Sequence, residues 1–281
     1  ADQIIKLVKA SGVKVLALGS GRPEAKQVVE VINKGYIGKP YLVHTACYAI
    51  PPLSEPGNLE PGWFVDPLEA AGGGFIDHAI YGAGVLRAVL NDEVKSVYAE
   101  MGKFSYKKWE VEDHGFALLR FKKGGIGSLE ASFTAPVETH QRMMIIGDEG
   151  EIELRGNKMF IWNRHDSFSN PHEISMLSGN PFTSKDFMKK SIPTPPGGEG
   201  YRPVADEFVE MLLSDGNCLE TLIDARNGLE ICLAAYGSIE TGAPVKLPLM
   251  IDVDTPKISY YQKTGRDIHE GSSLHSYHRS G

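Results

Sequence analysis

The chain has 281 residues, of which 42% are hydrophobic and 23% charged, and its formal net charge at pH 7 is −7. These values are typical of a soluble globular protein, and a nucleic-acid surface would need a concentrated lysine and arginine stripe that is absent from the sequence. No apolar run approaches the roughly 18 to 20 residues that cross a bilayer. We therefore expect a cytoplasmic protein that binds a small molecule, without nucleic-acid or membrane partners.

Residues 1–39 are predicted to form a helix, a strand and a second helix. The first helix ends at Gly12, and the apolar run VKVLAL at 13–18 is typical of a strand buried in a parallel sheet. This slice of a doubly wound α/β sheet is too small to form a domain alone. The chain also starts inside a helix without an initiator methionine, so we expect a fragment that lacks most of the preceding domain.

Residues 40–255 are predicted to form a second, α+β domain, and residues 256–281 a polar tail. A strand at 40–50 and a proline- and glycine-containing loop lead into a glycine-opened helix at 72–90. Successive antiparallel strands then indicate one open sheet. These strands are predicted at 94–101, 114–121, 126–133, 141–147 and 151–154. After a stretch without periodicity at 164–200, two helices are predicted at 203–213 and 221–242, the second opening with the capping-box pattern Thr221-x-x-Asp224.

A glycine pair near the start of the chain resembles the opening of a dinucleotide-binding turn. Gly19 and Gly21 follow the predicted strand, but Glu24 takes the place of the third glycine and Pro23 lies within the turn. A carboxylate there would repel a pyrophosphate at the helix N-terminus. We interpret this segment as an ordinary turn between a strand and a helix.

A second candidate site lies in the sequence GGGFIDHAIYGAG at 72–84. Asp77 and Tyr81 are four residues apart and therefore share one face of the predicted helix. A carboxylate beside a phenol is a plausible proton-handling pair. The spacing is equally consistent with a capping aspartate and a half-buried tyrosine.

Several segments resemble one family in the same order. GGGFIDHAIY is similar to the helix motif GGG-x-x-x-D-x-G-x-H of the glucose-fructose oxidoreductase / inositol dehydrogenase / MocA (Gfo/Idh/MocA) family, and the likeness covers nearly all of residues 1–250. The other segments are NKGYIGKPYLV, VEDHGFALLRFKKGGIGSLEASF, MIIGDEGEIEL and ICLAAYGSIETGAPVKL. The resemblance implies a Rossmann domain that binds NAD or NADP, followed by an open-faced, mostly antiparallel sheet domain with helices on one face.

The resemblance also implies residue roles. Hydride would pass between the nicotinamide and a sugar, polyol or related carbinol. Asp77 falls on the family aspartate, and Tyr81 falls on the position usually held by the catalytic histidine. The main cofactor site and the family's lysine would lie upstream of Ala1. Lys39 in GKP would not be that lysine, because it corresponds to the domain-crossing strand. His78 and Arg22 are candidate substrate contacts, and the open sheet would form a homodimer or homotetramer.

Two other interpretations remain open, and both concern the activity. The chain could be a non-enzymatic module that binds a sugar-like ligand or a partner, or part of an NAD-dependent glycosidase of the same family. Without the nucleotide-binding half we expect it to be inactive.

The remaining chemistry-bearing side chains are interpreted as structural. No metal site is expected from the histidines of the polar tail, His269, His275 and His278. His114 beside Asp113 and His78 next to Asp77 are interpreted as satisfied structural histidines rather than acid-base groups, although His78 is near enough to the pocket to touch substrate. Trp63 and Phe64 are expected to line the pocket or pack. The three cysteines, Cys47, Cys218 and Cys232, are too far apart for a metal motif and are expected to be free thiols.

Overall fold

A nine-stranded mixed sheet organises the part of the chain that the computed structural model describes, namely residues 1–17, 22–52, 62–67, 69–155, 158–164, 172–175, 208–209, 212–213 and 219–250. The strands lie in the order β8-β7-β6-β5-β1-β4-β3-β2-β9. Their bounds are β1 Pro40–Tyr48, β2 Val94–Gly102, β3 His114–Phe121, β4 Ile126–Ser132, β5 His140–Gly147, β6 Gly150–Arg155, β7 Lys158–Asn163, β8 His172–Ser175 and β9 Val245–Lys246.

Strand β1 occupies the centre of this sheet. It pairs in parallel with β4 and antiparallel with β5, so that Thr45 lies opposite Leu129 on one side and Met143 on the other. Every other pairing among the described strands is antiparallel. The expected open, mostly antiparallel sheet is therefore confirmed.

The helices cover one face of the sheet. They are α1 (Asp2–Ser11), α2 (Arg22–Asn33), α3 (Gly74–Leu90) and α4 (Leu219–Thr241), with a short 3-10 helix at Trp63–Val65. Helix α3 packs on β1 and β4, α4 packs on β2 and α3, α2 packs on α3, and α1 packs on α4. Side chains that point towards the helices, such as Val43 and Leu129, are buried.

The opposite face of the sheet is uncovered by any described helix. Successive residues of a strand point to opposite faces, and Phe116, Leu118 and Ile126, which lie on the side away from Leu129, are exposed large hydrophobic residues. We call the surface around these three residues the open face. The structure thus confirms that the helices lie on one side.

Helix α3 is fastened to α4 by a buried arginine. Arg87 donates from Nε and Nη2 to the two carboxylate oxygens of Glu93, at 2.9 and 2.6 Å, and from Nη1 to Asp224 Oδ1 at 3.1 Å. Burial opposes the charge of Arg87, but both carboxylates favour it, and the net effect raises the pKa of the guanidinium. The ends of two helices and the start of β2 are held at one point.

Three expectations differ from the observed elements. Residues 12–17 do not form the predicted strand; a strand needs a neighbour, and the N–H of Ala17 instead donates to Thr221 Oγ1 at 3.3 Å. Helix α4 begins at Leu219, so Thr221 lies inside its first turn and is not the N-cap. Strand β7 follows β6 although no strand was predicted there.

Some expectations lie wholly or partly outside the described residues. Of the helix predicted at 203–213, positions 208–209 and 212–213 are helical. Most of the segment at 164–200 and the tail at 256–281 are not described, and the boundary between residues 39 and 40 stays a prediction. No described helix is both long and apolar enough to span a membrane.

Candidate active site

The N-terminus of α3 is capped by a residue from a distant segment. The Glu112 carboxylate oxygen Oε1 accepts the N–H of Gly73 at 2.8 Å and that of Phe75 at 3.2 Å, while the Glu112 carbonyl oxygen accepts the N–H of Gly74 at 2.9 Å. The first N–H groups of a helix lack partners within the helix. One glutamate therefore satisfies three of these donors of α3.

Tyr236 of α4 completes this cap. Its hydroxyl donates to Glu112 Oε1 at 2.7 Å, and it accepts the N–H of Ile76. Burial, first of all, and the adjacent Glu112 raise the pKa of Tyr236 well above its usual value, so the phenol remains a donor. The start of α3 is thus bonded within the protein, and its N–H groups are not available to an external anion.

The three glycines at 72–74 make room for this cap. A Cβ at Gly72 would lie 2.1 Å from Tyr236 Oη, one at Gly73 would lie 1.9 Å from the Glu112 carbonyl oxygen, and one at Gly74 would lie 2.6 Å from the backbone nitrogen of Phe133. Such distances exclude a side chain unless the backbone shifts. The expected close backbone approach at this helix is real, and its partners are other parts of the chain.

Asp77 and His78 follow within the first turns of α3. His78 Nε2 lies 3.4 Å from Asp77 Oδ2, and the two side chains are 18% and 37% exposed respectively. Burial raises the pKa of Asp77, although His78 opposes the rise, and burial lowers the pKa of His78, although Asp77 opposes the fall. The two pKa values therefore move towards each other, which reduces the difference in proton affinity between the two groups.

Tyr81 lies one helical turn beyond Asp77 and is half-buried. Residues four apart on a helix share a face, so the structure places both candidate catalytic side chains on one side of α3. Arg22 is the first residue of α2, and its side chain is outside the described part of the structure.

Aromatic rings surround His78 on the side of β4. The Phe133 ring packs edge-on against His78 at 5.7 Å and against Trp109 at 6.3 Å, and Trp109 stacks on Tyr106 at 4.0 Å. The desolvation of His78 follows from this packing. Trp63 and Phe64 stack on each other at 4.0 Å, with Trp63 exposed.

Asp113 and His114 have structural partners. The buried Asp113 carboxylate accepts the N–H groups of Phe104, Ser105 and Tyr106 at 2.9, 2.7 and 2.7 Å, which fixes the loop between β2 and β3. His114 Nε2 lies 2.9 Å from Glu130 Oε1.

The other candidates do not join the site. Lys39 is exposed and its N–H donates to Asp148 Oδ1, and Cys47 and Cys232 are buried free thiols whose pKa burial raises to about 12. Gly19, Gly21, Cys218 and the three tail histidines lie outside the described residues. No group of histidine, cysteine or acidic residues within the described part could hold a metal ion.

Residues 25–153, which include α3 and Glu112, match the family model described as GFO/IDH/MocA C-terminal domain. This part of the chain is similar to the C-terminal domain of Gfo/Idh/MocA proteins. The match ends within β6 and includes Asp77, His78 and Tyr81. The resemblance expected from the sequence motifs is therefore confirmed.

Two of the curated proteins that are similar to this chain are inositol dehydrogenases. The chain is 28% identical over 225 residues to scyllo-inositol 2-dehydrogenase (NAD(+)) of Bacillus subtilis, which covers 77% of this chain and 57% of the relative. It is 28% identical over 160 residues to myo-inositol 2-dehydrogenase of Thermotoga maritima, covering 54% of this chain and 44% of the relative. The chain thus spans about half the length of these relatives.

Solved structures with the same fold include two sugar oxidoreductases. The aldose-aldose oxidoreductase from Caulobacter crescentus complexed with glycerol superposes with a TM-score of 0.66 at 18% identity, covering 88% of this chain and 68% of that one. Levoglucosan dehydrogenase in complex with NADH and levoglucosan gives a TM-score of 0.64 at 19% identity, covering 84% and 66%. At these identities the similarity establishes the fold.

Sequence reasoning named Asp77, His78 and Tyr81 as candidate site residues and did not name Glu112 or Tyr236. The contact between Gly73 and Glu112 spans 39 residues, so no local pattern indicates it. The three consecutive glycines were the available signal, because they require that something approach the helix start closely.

Proposed function

We propose that the intact protein is an oxidoreductase that transfers hydride between NAD or NADP and a sugar, polyol or related carbinol. In this proposal the present chain supplies the substrate side of the active site. The observation that carries it is the half-buried Asp77 and His78 pair, whose pKa values converge, on the helix that also bears Tyr81. The relatives named above are dehydrogenases of inositols, which are polyols.

The side chains of α3 transfer the proton in this reaction. When a secondary alcohol is oxidised, its carbon loses a hydride and its hydroxyl loses a proton, and a nicotinamide supplies the hydride acceptor. Tyr81 exchanges the hydroxyl proton, and Asp77 orients Tyr81 or the substrate. His78, in contact with Asp77, is near enough to touch the substrate. A tyrosine with a pKa of about 10 needs a nearby cation to ionise near neutral pH, and the family lysine expected upstream of Ala1 would be that cation.

The start of α3 does not fit a dinucleotide phosphate. The glycine-opened start of α3 would otherwise favour an anion, but Glu112 and Tyr236 already accept its N–H groups, and the Glu112 carboxylate would repel a pyrophosphate. We propose that the main cofactor site of the intact protein lies away from this helix start, in its nucleotide-binding half. Accordingly, we expect this chain alone to be inactive and Arg22 at most to contact the substrate.

A fluorescence titration of the purified chain with NADH and NADPH tests the cofactor assignment. We expect no binding at millimolar concentration. Binding at micromolar concentration would contradict the assignment and would direct mutagenesis to the segment around Gly19 and Gly21.

Turnover by the full-length protein tests the activity. A panel of inositols and aldoses is offered with NAD and with NADP, and the reduced nicotinamide is followed by absorbance. We expect oxidation of at least one polyol or sugar, and its abolition or strong reduction by Asp77→Asn. Ligand binding without nicotinamide reduction would instead support a binding module, and cleavage of glycosides would support the glycosidase alternative.

We also propose that the open face is buried in a homodimer or homotetramer. The support is the exposed apolar set Phe116, Leu118 and Ile126 on a sheet face that no described helix covers. An antiparallel sheet can leave one face in water, but neighbouring exposed apolar side chains on such a face are typical of a protein–protein interface. Light scattering of the purified chain at micromolar concentration would contradict this proposal if it showed only a monomer.

A further inference from the structure

We propose that Glu112 is a positioning residue for Asp77, because it fixes the first turn of α3 and places a negative charge at the N-terminus of that helix. This inference rests on the proposed role of Asp77.

Glu112 and Tyr236 together account for the donors at the helix start. Gly73, Gly74 and Phe75 donate their N–H groups to Glu112, and Ile76 donates to Tyr236. The next residue, Asp77, donates its N–H to the Gly73 carbonyl oxygen at 3.3 Å and so begins the internal hydrogen bonding of the helix. The position of Asp77 along α3 is therefore set by the four donors that precede it.

The cap is held from the outside by tight packing. The backbone at the three glycines lies so close to Tyr236, Glu112 and the backbone of Phe133 that even a Cβ atom would overlap with them. There is therefore little space for α3 to shift towards any of these groups. Tyr236 is buried, and Cys232, one turn earlier on α4, faces the same carboxylate. Burial has the largest effect and raises the pKa of Glu112, although the hydrogen bonds from Tyr236, Gly73 and Phe75 oppose the rise. These three donors are directed at the carboxylate itself and stabilise its ionised form.

An ionised Glu112 changes the electrostatic surroundings of Asp77. A helix N-terminus carries a partial positive charge that stabilises a carboxylate in its first turn. Glu112 neutralises this charge, so Asp77 is more easily protonated than an uncompensated helix start would allow. The other groups that face Asp77 are His78 on α3 and Cys47 on β1.

The test is Glu112→Gln, which keeps an oxygen acceptor for the N–H groups and removes the charge. The carboxyl group of Asp77 is followed by ¹³C NMR during a pH titration of the chain labelled at aspartate, with Asp77→Asn to assign the signal. We expect the pKa of Asp77 to fall by a few tenths of a unit to about one unit in Glu112→Gln, the range that a helix terminus produces. This measurement needs neither substrate nor cofactor.

Asp113→Asn is the matched control. Asp113 is also a buried carboxylate that accepts three backbone N–H groups, but these belong to residues 104–106 and not to α3. We expect this variant to lose stability without moving the pKa of Asp77. An unchanged Asp77 pKa in Glu112→Gln, or an equal change in both variants, would overturn the inference.

A second variant keeps the test decisive if Glu112→Gln does not fold. Tyr236→Phe removes one hydroxyl donor from Glu112 and so raises the pKa of Glu112. Because Glu112 is then protonated over more of the titration, the pKa of Asp77 should fall in the same direction by a smaller amount. An unchanged Asp77 pKa in this variant would overturn the inference.

The pH dependence of kcat/KM in the full-length enzyme is an independent test. The acid limb of its kcat/KM profile should move to lower pH in Glu112→Gln, whereas Asp113→Asn should leave the limb in place. If Asp77→Asn retains full turnover, the proposed function of Asp77 fails; if Asp77→Asn is inactive and the limb does not move in Glu112→Gln, the inference alone fails.

Discussion

Replacing Arg87 with methionine should strongly destabilise the protein. Methionine fills much of the space of the arginine stem but cannot bond to Glu93 or Asp224. The Glu93 side chain is 49% exposed and can be solvated by water, whereas the Asp224 side chain is 5% exposed and would keep a buried negative charge without its cation. Removing one partner of a buried ion pair costs about 3 to 5 kcal/mol. The loss should therefore come mainly from Asp224.

Urea unfolding and thermal unfolding, both followed by circular dichroism, measure this loss. The melting temperature should fall by on the order of 10 °C for a chain of this size. Arg155→Met is the matched control, because Arg155 also bonds to both oxygens of a glutamate, Glu153, but is 64% exposed. It should change stability little. If Arg87→Met costs no more than Arg155→Met, the argument from burial is wrong; if Arg87→Met combined with Asp224→Asn recovers part of the loss, it is supported.

Further predictions concern catalysis, packing, association and pH. Tyr81→Phe in the full-length enzyme should lower turnover by about 10²-fold or more, as loss of an acid-base group does, and near-normal turnover would remove Tyr81 from the mechanism. Gly73→Ala should lower the urea midpoint, because its Cβ would meet the Glu112 carbonyl oxygen at 1.9 Å. Phe116→Glu should dissociate the oligomer in light scattering without unfolding the chain. Burial lowers the pKa of His44, so the unfolded state binds more protons below about pH 6.5; stability should fall as the pH drops through this window, and His44→Gln should reduce the slope of a urea-unfolding series.

Controls separate these effects from general damage. Tyr36→Phe alters an exposed tyrosine beyond α2 and should leave turnover unchanged. The circular dichroism spectrum of Phe116→Glu should match that of the unmodified protein. A pH series that is identical with and without His44 would contradict the assignment of that slope.

Local patterns were sufficient for most of the secondary structure. The glycine-opened helix was predicted at 72–90 and is found at Gly74–Leu90, and each strand predicted between residues 94 and 154 is present. These elements are encoded by alternation or by helical spacing within one segment. The strand expected at 13–18 failed because an apolar run becomes a strand only beside another strand, and the described sheet offers none there.

The candidate site could be predicted only in part from the sequence. Asp77 and Tyr81 are related by helical spacing, which a sequence displays directly. The cap at Glu112 depends instead on the packing of α3 and α4 and on the residues before β3, which no periodicity reports. The role of Asp113 could not be predicted from the sequence for the same reason. Its carboxylate fixes residues 104–106 by accepting their backbone N–H groups, and backbone groups leave no pattern of residue types in the sequence.

The central position of β1 has a consequence for how the chain folds. Its partners β4 and β5 begin at Ile126 and His140, long after β1 itself ends at Tyr48. During synthesis both edges of β1 therefore emerge without their pairing strands, and closing the sheet requires contacts between distant parts of the chain. Folds dominated by such contacts assemble slowly and expose unpaired strand edges while they do so. The same strand that anchors the finished sheet is thus the segment most in need of protection from aggregation as the chain leaves the ribosome.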